Sequence, residues 1–335
     1  MKVIIQIPCF NEEQALPVTL SQLPRELPGI ASVEWMVVDD GSTDRTIQVA
    51  KDHGVDYVYA VGRHVGLARA FSLGINHALS KNADIIVNTD ADNQYCAEDI
   101  EKLIIPILTG NADLVIGARS IFENQEFSLI KKILQKIGSW VVRRLSGTNV
   151  VDAPSGFRAF RREYALCLQI FNSFSYTLES IIQAGRMGYR VVSVPIRTNA
   201  SLRPSRLAHS SFAYIFRSFL TIAQTIFLYY SIRIFSVLGA MCFLIGSLLN
   251  LRYLYLFMVQ NASGHIQSLI LGSVFLSASF FLFTLSVVCH LLGINRNILE
   301  EVHACVRQNR YVLQQPPFEW HSVSDLQEKI WKKAG

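Results

Sequence analysis

Four short runs dense in Val and Ile recur in the first 116 residues: Val3–Ile7, Trp35–Val38, Ile85–Thr89 and Leu114–Ile116. They are continuously apolar rather than alternating, which predicts strands covered on both faces, as in a parallel sheet. Amphipathic segments separate them. Glu12–Glu26 has a helical pattern interrupted by Pro17 and Pro24, while Gly66–Ser80 and Ala97–Leu108 are cleaner helices. Ser128–Ser146 reads as a basic amphipathic helix and Tyr176–Gly188 as another, followed by a strand at Arg190–Pro195 and a polar, basic loop at Asn199–Ser211. Alternation of this kind predicts an open α/β sheet of Rossmann-like type, with ligands bound beyond the C-terminal strand ends.

The pattern changes after residue 210. Phe235–Phe257 and Ile266–Leu292 are apolar along their length, and each exceeds the roughly 20 residues that cross a hydrocarbon core of about 30 Å. The link Val259–Gln267 carries no Lys or Arg. Ser211–Tyr230 places Arg217 and Gln224 on an otherwise apolar helix, which fits an amphipathic helix lying in the membrane interface better than the alternative of a third span. Arg197, Arg203, Arg206, Arg217 and Arg233 precede the apolar region, and Arg296, Arg307 and Arg310 follow it, so both flanks are expected on the cytoplasmic side. The expected organisation is a catalytic domain at 1–210, an interfacial helix at 211–232, a two-span hairpin at 233–292 and a cytoplasmic helical tail at 293–335. This predicts a multi-pass integral protein of a bacterial inner membrane with its catalytic domain in the cytoplasm. No cleavable signal peptide is visible.

Composition adds little to that division. Half of the 335 residues are hydrophobic, and the net charge is +5. A mild positive balance suits phosphate-bearing or anionic lipid partners, and no nucleic-acid partner is expected. The six cysteines form no CxxC pair, so neither a zinc site nor a disulfide framework is expected. No GxGxxG and no GxxxxGK[ST] occurs, which disfavours dinucleotide binding and P-loop chemistry.

Polar clusters sit at the predicted strand ends. Asp90 and Asp92 follow the third run, with Gln94 two residues on. Two carboxylates and an amide, completed by substrate phosphate oxygens, are a usual way to hold Mg²⁺ or Mn²⁺ against a diphosphate leaving group. Asp39-Asp40-Gly41-Ser42-Thr43-Asp44 follows the second run. Its carboxylates suit a nucleobase or ribose, and Ser42 or Thr43 is expected to cap the next helix. Asn11-Glu12-Glu13 follows the first run, and Gly62-Arg63-His64-Val65-Gly66 sets glycines and a cation before a helix, which suits an approach to phosphate or nucleoside.

Taken in order, Ile7-Pro-Cys-Phe-Asn-Glu-Glu13, Val38-Asp-Asp-Gly-Ser-Thr-Asp44 and Asp90-Ala-Asp-Asn-Gln94 resemble family 2 of the inverting glycosyltransferases, which have the GT-A fold. Ser155-Gly-Phe-Arg-Ala-Phe160, Thr177-Leu-Glu179 and the basic loop through Arg203 and Arg206 extend the resemblance to about residue 210. It is closest to the polyprenyl-phosphate branch, in which two C-terminal spans also occur. The resemblance implies that Pro8, Asn11, Glu13 and Asp39 line the nucleoside pocket of a UDP- or GDP-sugar. It implies that Asp90 positions the donor, Asp92 and Gln94 hold the metal, and Arg119 contacts phosphate or sugar. Asp152 would face the acceptor, and Arg158, Arg203 and Arg206 would hold the phosphate of a polyprenyl (undecaprenyl or dolichyl) lipid. Processive relatives carry Gln-x-x-Arg-Trp, which is missing here, so polymer synthesis is not expected. A hydroxyl acceptor would need a base such as Asp152 or Glu179; a phosphate acceptor is already anionic. The competing expectations are a hydroxyl acceptor and a non-catalytic membrane subunit that binds nucleotide-sugar. Self-association is expected as possible, since two spans alone bury little.

Overall fold

A computed structural model describes residues 1–119, 129–170, 176–199, 211–260 and 266–313. Seven strands form one sheet in the order β3-β2-β1-β4-β6-β5-β7. They are β1 (Lys2–Cys9), β2 (Ser32–Asp39), β3 (Tyr57–Ala60), β4 (Ile85–Asn88), β5 (Leu114–Arg119), β6 (Arg158–Arg161) and β7 (Val191–Ile196). All pairings are parallel except those of β6, which lies antiparallel between β4 and β5. The four anticipated apolar runs and the late strand are all present. Two strands lacked a recognisable signal. β3 is an edge strand, mostly half-buried, and the Arg-Ala-Phe-Arg of β6 carries a charge at each end.

The sheet is covered on both sides, which is why its central strands read as largely apolar runs without alternation. Along β1, Val3, Ile5, Ile7 and Cys9 join one core with α1 (Leu16–Gln22) and α4 (Ile100–Leu108), whereas Ile4 faces the other. That second core is built with α3 (Leu67–Ser80), α6 (Arg162–Cys167) and α7 (Tyr176–Arg186). The helix expected across Glu12–Glu26 shrinks to α1, with Pro17 in its first turn, where a missing N–H is harmless. α2 (Thr46–Asp52) follows β2, and α5 (Leu129–Ser146) matches the basic amphipathic helix.

Two long helices complete the described chain: α8 (Ser211–Gln260), 50 residues, and α9 (Ile266–Leu313), 48 residues. The separate interfacial helix expected at 211–232 is instead continuous with the first apolar segment, because no Pro or Gly interrupts the chain there. Likewise α9 runs about thirteen turns without a break at residue 292. The two pack as an antiparallel pair along a seam of small residues. Ser279 Oγ donates to the Gly239 carbonyl at 2.9 Å, and Ser236 and Ser286 share a hydrogen bond at 2.8 Å. A Cβ on Gly246 would stand 2.9 Å from the Gly272 carbonyl oxygen, so the backbones approach closely there. Tyr230–Val259 and Ile266–Asn295 are long and apolar enough to cross a membrane, yet only 11% of each apolar window is buried. That exposure does not suit core helices of a soluble protein.

Candidate active site

β1, β2, β4 and β5 all end at one edge of the sheet, and antiparallel β6 begins there. Asn11, Asp39, Asp90, Arg119 and the 152–156 segment therefore share one rim. Only β1 separates β2 from β4, which puts Asp39 and Asp90 about 10 Å apart at roughly 4.8 Å per strand.

At the β1–β2 end, two loops are laced together through backbone amides. Asn11 takes a left-handed conformation, φ 54°, which Asn tolerates better than most residues. Its N–H donates to Ser42 Oγ at 2.8 Å, and its Oδ1 accepts from the Thr43 N–H at 2.8 Å. The Glu13 N–H donates to Asp44 Oδ2, and Glu13 Oε2 accepts from the Arg45 N–H. Ser42 and Thr43 are thus occupied by Asn11, and the expected cap falls to Asp44, whose Oδ1 accepts from the Thr46 N–H at 3.0 Å. Burial pushes the Asp44 carboxyl up, but the hydrogen bonds from Thr46 and Glu13 outweigh it and hold the group below its usual range.

Asp40 departs from its expected part in donor binding. One carboxylate oxygen accepts from the Val65 N–H at 2.7 Å; the other accepts from the Gly66 N–H at 3.0 Å and pairs with His64 at 2.9 Å. Both oxygens are spent on the 62–66 loop, so Asp40 positions that loop, from which Arg63 is exposed. Gly41, at φ 76°, allows the crossing, since a Cβ would lie 2.6 Å from the Arg63 carbonyl carbon. Asp39 differs: Oδ2 accepts from the Ser42 N–H at 3.0 Å, but its buried Oδ1 has no hydrogen-bond partner among the described residues. A buried acceptor without a donor is rare, and it suits a ligand N–H or O–H. Pro8 lies beside it in β1, in register with Val38.

At the β4–β6 end burial and charge dominate the carboxylates. Burial and the neighbouring Asp92 charge push the Asp90 carboxyl up to about 7, against the pull of Arg119 and a hydrogen bond from Tyr95. Asp92 Oδ1 accepts from the Gln94 N–H at 3.2 Å. Among the described residues no group of three or more His, Cys, Asp and Glu side chains could hold a metal. The candidate donor set is the two mutually repelling carboxylates Asp90 and Asp92, with Gln94 two residues further along the chain. It fits a divalent cation, which relieves that repulsion and takes its remaining ligands from phosphate oxygens.

The support beneath Asp90 had no motif to announce it. Tyr95 stacks on Phe157 with centroids 4.9 Å apart, and its hydroxyl accepts from the Gly156 N–H. Tyr176 stacks on Phe71 at 3.8 Å and is bonded by Asn88 Nδ2 at 3.0 Å; Asn88 Oδ1 accepts in turn from Gln6 Nε2. Gly156 leaves room for the carboxylate: a Cβ there would lie 3.0 Å from both Asp90 Oδ1 and the Tyr176 hydroxyl. The available signal was a polar residue inside an apolar strand, Gln6 in β1 and Asn88 in β4, since a buried polar side chain needs a partner.

Two acceptor-side expectations change. Arg158 was expected to hold a phosphate, but it is fully buried and its guanidinium donates to the carbonyls of Ser155, Thr177 and Ala153 and to Ser180 Oγ. It is a brace between β6 and α7. Asp152, expected to face the acceptor as a possible base, is equally buried and holds Arg119 in a two-pronged pair, at 2.7 and 3.2 Å. Burial works against the Arg119 charge, but Tyr95, Asp152 and Asp90 raise its pKa further. Glu179 is 5% exposed, which leaves it little surface for an acceptor. Arg203 and Arg206 lie outside the described residues. Asn199, just before them in the chain, donates from its N–H to the Gln94 carbonyl at 2.9 Å and from its side chain to the Asn93 carbonyl at 3.0 Å. Arg197 is clamped by Asp99 and Glu98.

Residues 4–168 match the family described as Glycosyl transferase family 2. The chain is 35% identical over 205 residues to an uncharacterized protein of Methanocaldococcus jannaschii, covering 59% of this chain and 81% of that one. It is 30% identical over 207 residues to the undecaprenyl-phosphate mannosyltransferase of Micrococcus luteus, covering 58% and 83% respectively. The chain belongs to glycosyl transferase family 2. A solved structure of glucosyl-3-phosphoglycerate synthase from Mycobacterium tuberculosis superposes with a TM-score of 0.55 at 21% identity, over 67% of this chain and 79% of that one. The sheet of this family 2 glycosyltransferase is accordingly of the GT-A type. Another structure of that synthase, at TM-score 0.52, holds Mn²⁺, UDP and phosphoglyceric acid.

Proposed function

We propose that this glycosyltransferase transfers a sugar from a nucleoside-diphosphate sugar to a polyprenyl phosphate, with inversion, at the cytoplasmic face of a membrane. The observation that carries the lipid acceptor is the helical pair: it is continuous with the catalytic chain and turns large apolar side chains such as Leu248 and Phe280 outward. A relative named as an undecaprenyl-phosphate mannosyltransferase supports the same reading.

In this reading the partnerless Asp39 Oδ1 accepts a hydrogen bond from the nucleoside. Asp90, Asp92 and Gln94 hold Mg²⁺ or Mn²⁺. Such a cation would supply positive charge opposite a diphosphate leaving group. Arg119, held in place by Asp152 beside Asp90, offers a second fixed positive charge where negative charge develops. A phosphate acceptor needs orientation rather than deprotonation. This suits a site in which Asp152, one of the two carboxylates considered as bases, is salt-bridged and the other, Glu179, is buried.

The test uses the full chain in nanodiscs with a divalent cation, labelled nucleotide-sugar and polyprenyl phosphate. Label should pass into the organic extract as an acid-labile prenyl phosphosugar. Label recovered only on a hydroxyl acceptor, or nowhere with any of a panel of UDP- and GDP-sugars, overturns the reading.

A further inference from the structure

Among the described residues, the helical pair hydrogen-bonds to the ends of two helices of the catalytic domain. The last carbonyls of any helix lack partners within it. At the end of α6, those of Ala165 and Leu166, together with Leu168 just beyond, accept from one nitrogen of Arg307 at 3.3, 3.2 and 3.1 Å. Arg307 lies on α9, twelve residues past the apolar stretch that ends at Asn295. At the end of α5, the Arg144 carbonyl accepts from the Tyr230 hydroxyl at 3.3 Å. Tyr230 opens the apolar stretch of α8.

These contacts are well placed to set orientation. Ser236 faces Ser286 across the pair, so the level of Tyr230 on α8 corresponds to about residue 292 on α9. At 1.5 Å per residue, Arg307 stands roughly 20 Å further from the apolar region. Two fastenings at different heights resist tilting, where one would act as a pivot. Apolar packing does not do this alone: a cavity of about 210 Å³ lies beside Arg307, between α3 and the chain at Leu168–Ile170. The polar contact bridges an otherwise loosely filled junction.

We propose that Arg307, assisted by Tyr230, is a positioning residue that fixes the height and tilt of the catalytic rim over the membrane, so that the rim meets a phosphate held at the bilayer surface. The proposal depends on the lipid-phosphate reading above for its substrate and on the helix-end contacts for its geometry. It requires that Arg307 matter for an acceptor that cannot leave the bilayer and not for one that diffuses to the site.

The test compares the wild-type full chain with Arg307→Ala and Arg307→Lys in nanodiscs, using a long-chain polyprenyl phosphate embedded in the disc and a short, water-soluble prenyl phosphate. Arg307→Ala is expected to lower kcat/KM for the embedded acceptor about tenfold, mainly through KM, with the soluble acceptor and the donor KM within twofold of wild type. Arg307→Lys, which keeps a cation for the same carbonyls, should recover much of the loss. An equal fall with both acceptors identifies a purely structural residue and overturns the proposal, as does no change with either. Orientation is also read without activity, from electron-spin distances between labels at exposed Thr109 and lipid-facing Leu248. The distribution should broaden in Arg307→Ala. If wild type transfers sugar to neither acceptor, the substrate reading fails, and an unchanged distance distribution separately removes the positioning role.

Discussion

The two ends of the catalytic rim use acidic residues in opposite ways. Beside β1 and β2, Asp40 and Asp44 spend their oxygens on backbone amides, and the loops become rigid parts. Beside β4 and β6, Asp90 is desolvated and feels the charge of Asp92, and the largest relief comes from Arg119. An acid whose lone pairs are filled by N–H groups has finished its work when the chain folds. An acid left under electrostatic stress awaits a ligand. Asp39 bridges the two behaviours, with one oxygen satisfied and one not.

The largest effect that sharpens this contrast is at Asp92. Asp92→Ala should lower transfer by about 10³-fold or more with thermal unfolding nearly unchanged; a robustly active variant erases the difference between the two ends. Next come the buried braces. Asp152→Ala strips Arg119 of its partner and should destabilise the fold by about 3–5 kcal/mol, read by denaturant unfolding. Arg158→Met should behave similarly. If instead it folds normally and loses only acceptor affinity, Arg158 belongs to the site after all.

Gly156→Ala sets a methyl about 3 Å from Asp90 Oδ1. It should reduce kcat on the order of tenfold by displacing the carboxylate, with a smaller loss of stability.

The pH response tests the electrostatic stress directly. The folded-state pKa of Asp90, about 7, lies above its unfolded value near 3.8. The folded chain therefore retains a proton that the unfolded chain loses, and the contribution of Asp90 to stability falls as pH rises from about 4 to about 7. A divalent cation competes with that proton. Mg²⁺ or Mn²⁺ should raise the melting temperature more at pH 8 than at pH 6, and equal shifts would remove Asp90 from the cation site. The smallest effect belongs to the satisfied end: Asp40→Asn should cost about 1–2 kcal/mol and raise the donor KM by a few-fold through a loosened 62–66 loop.

How far the chain could be read in advance followed from the range of each interaction. The apolar runs of β1, β2, β4 and β5 and the amphipathic helices α3 and α4 are local periodicities, and they stood close to their final boundaries, whereas the segment Glu12–Glu26 shortened to α1. The clusters at Asn11, Asp39 and Asp90 were placed at strand ends for the same reason. β6 was missed because its Arg-Ala-Phe-Arg is stabilised by what surrounds it, including the carbonyls that Arg158 binds. The parts assigned to Arg158 and Asp152 changed for a related reason. A charged side chain looks alike in sequence whether it meets a ligand or a buried partner from another segment.

By itself, then, the sequence determined the α/β alternation, the three polar clusters, the family and the two apolar helices, because these depend on side-chain type and near-neighbour spacing. Tertiary structure decided which acids are spent on backbone amides and which are not, that Tyr95, Tyr176 and Asn88 lie around Asp90, and that Arg307 fastens the long helices to the catalytic domain. Those outcomes depend on desolvation and on hydrogen bonds between residues up to 142 positions apart, and neither quantity exists until the chain is folded.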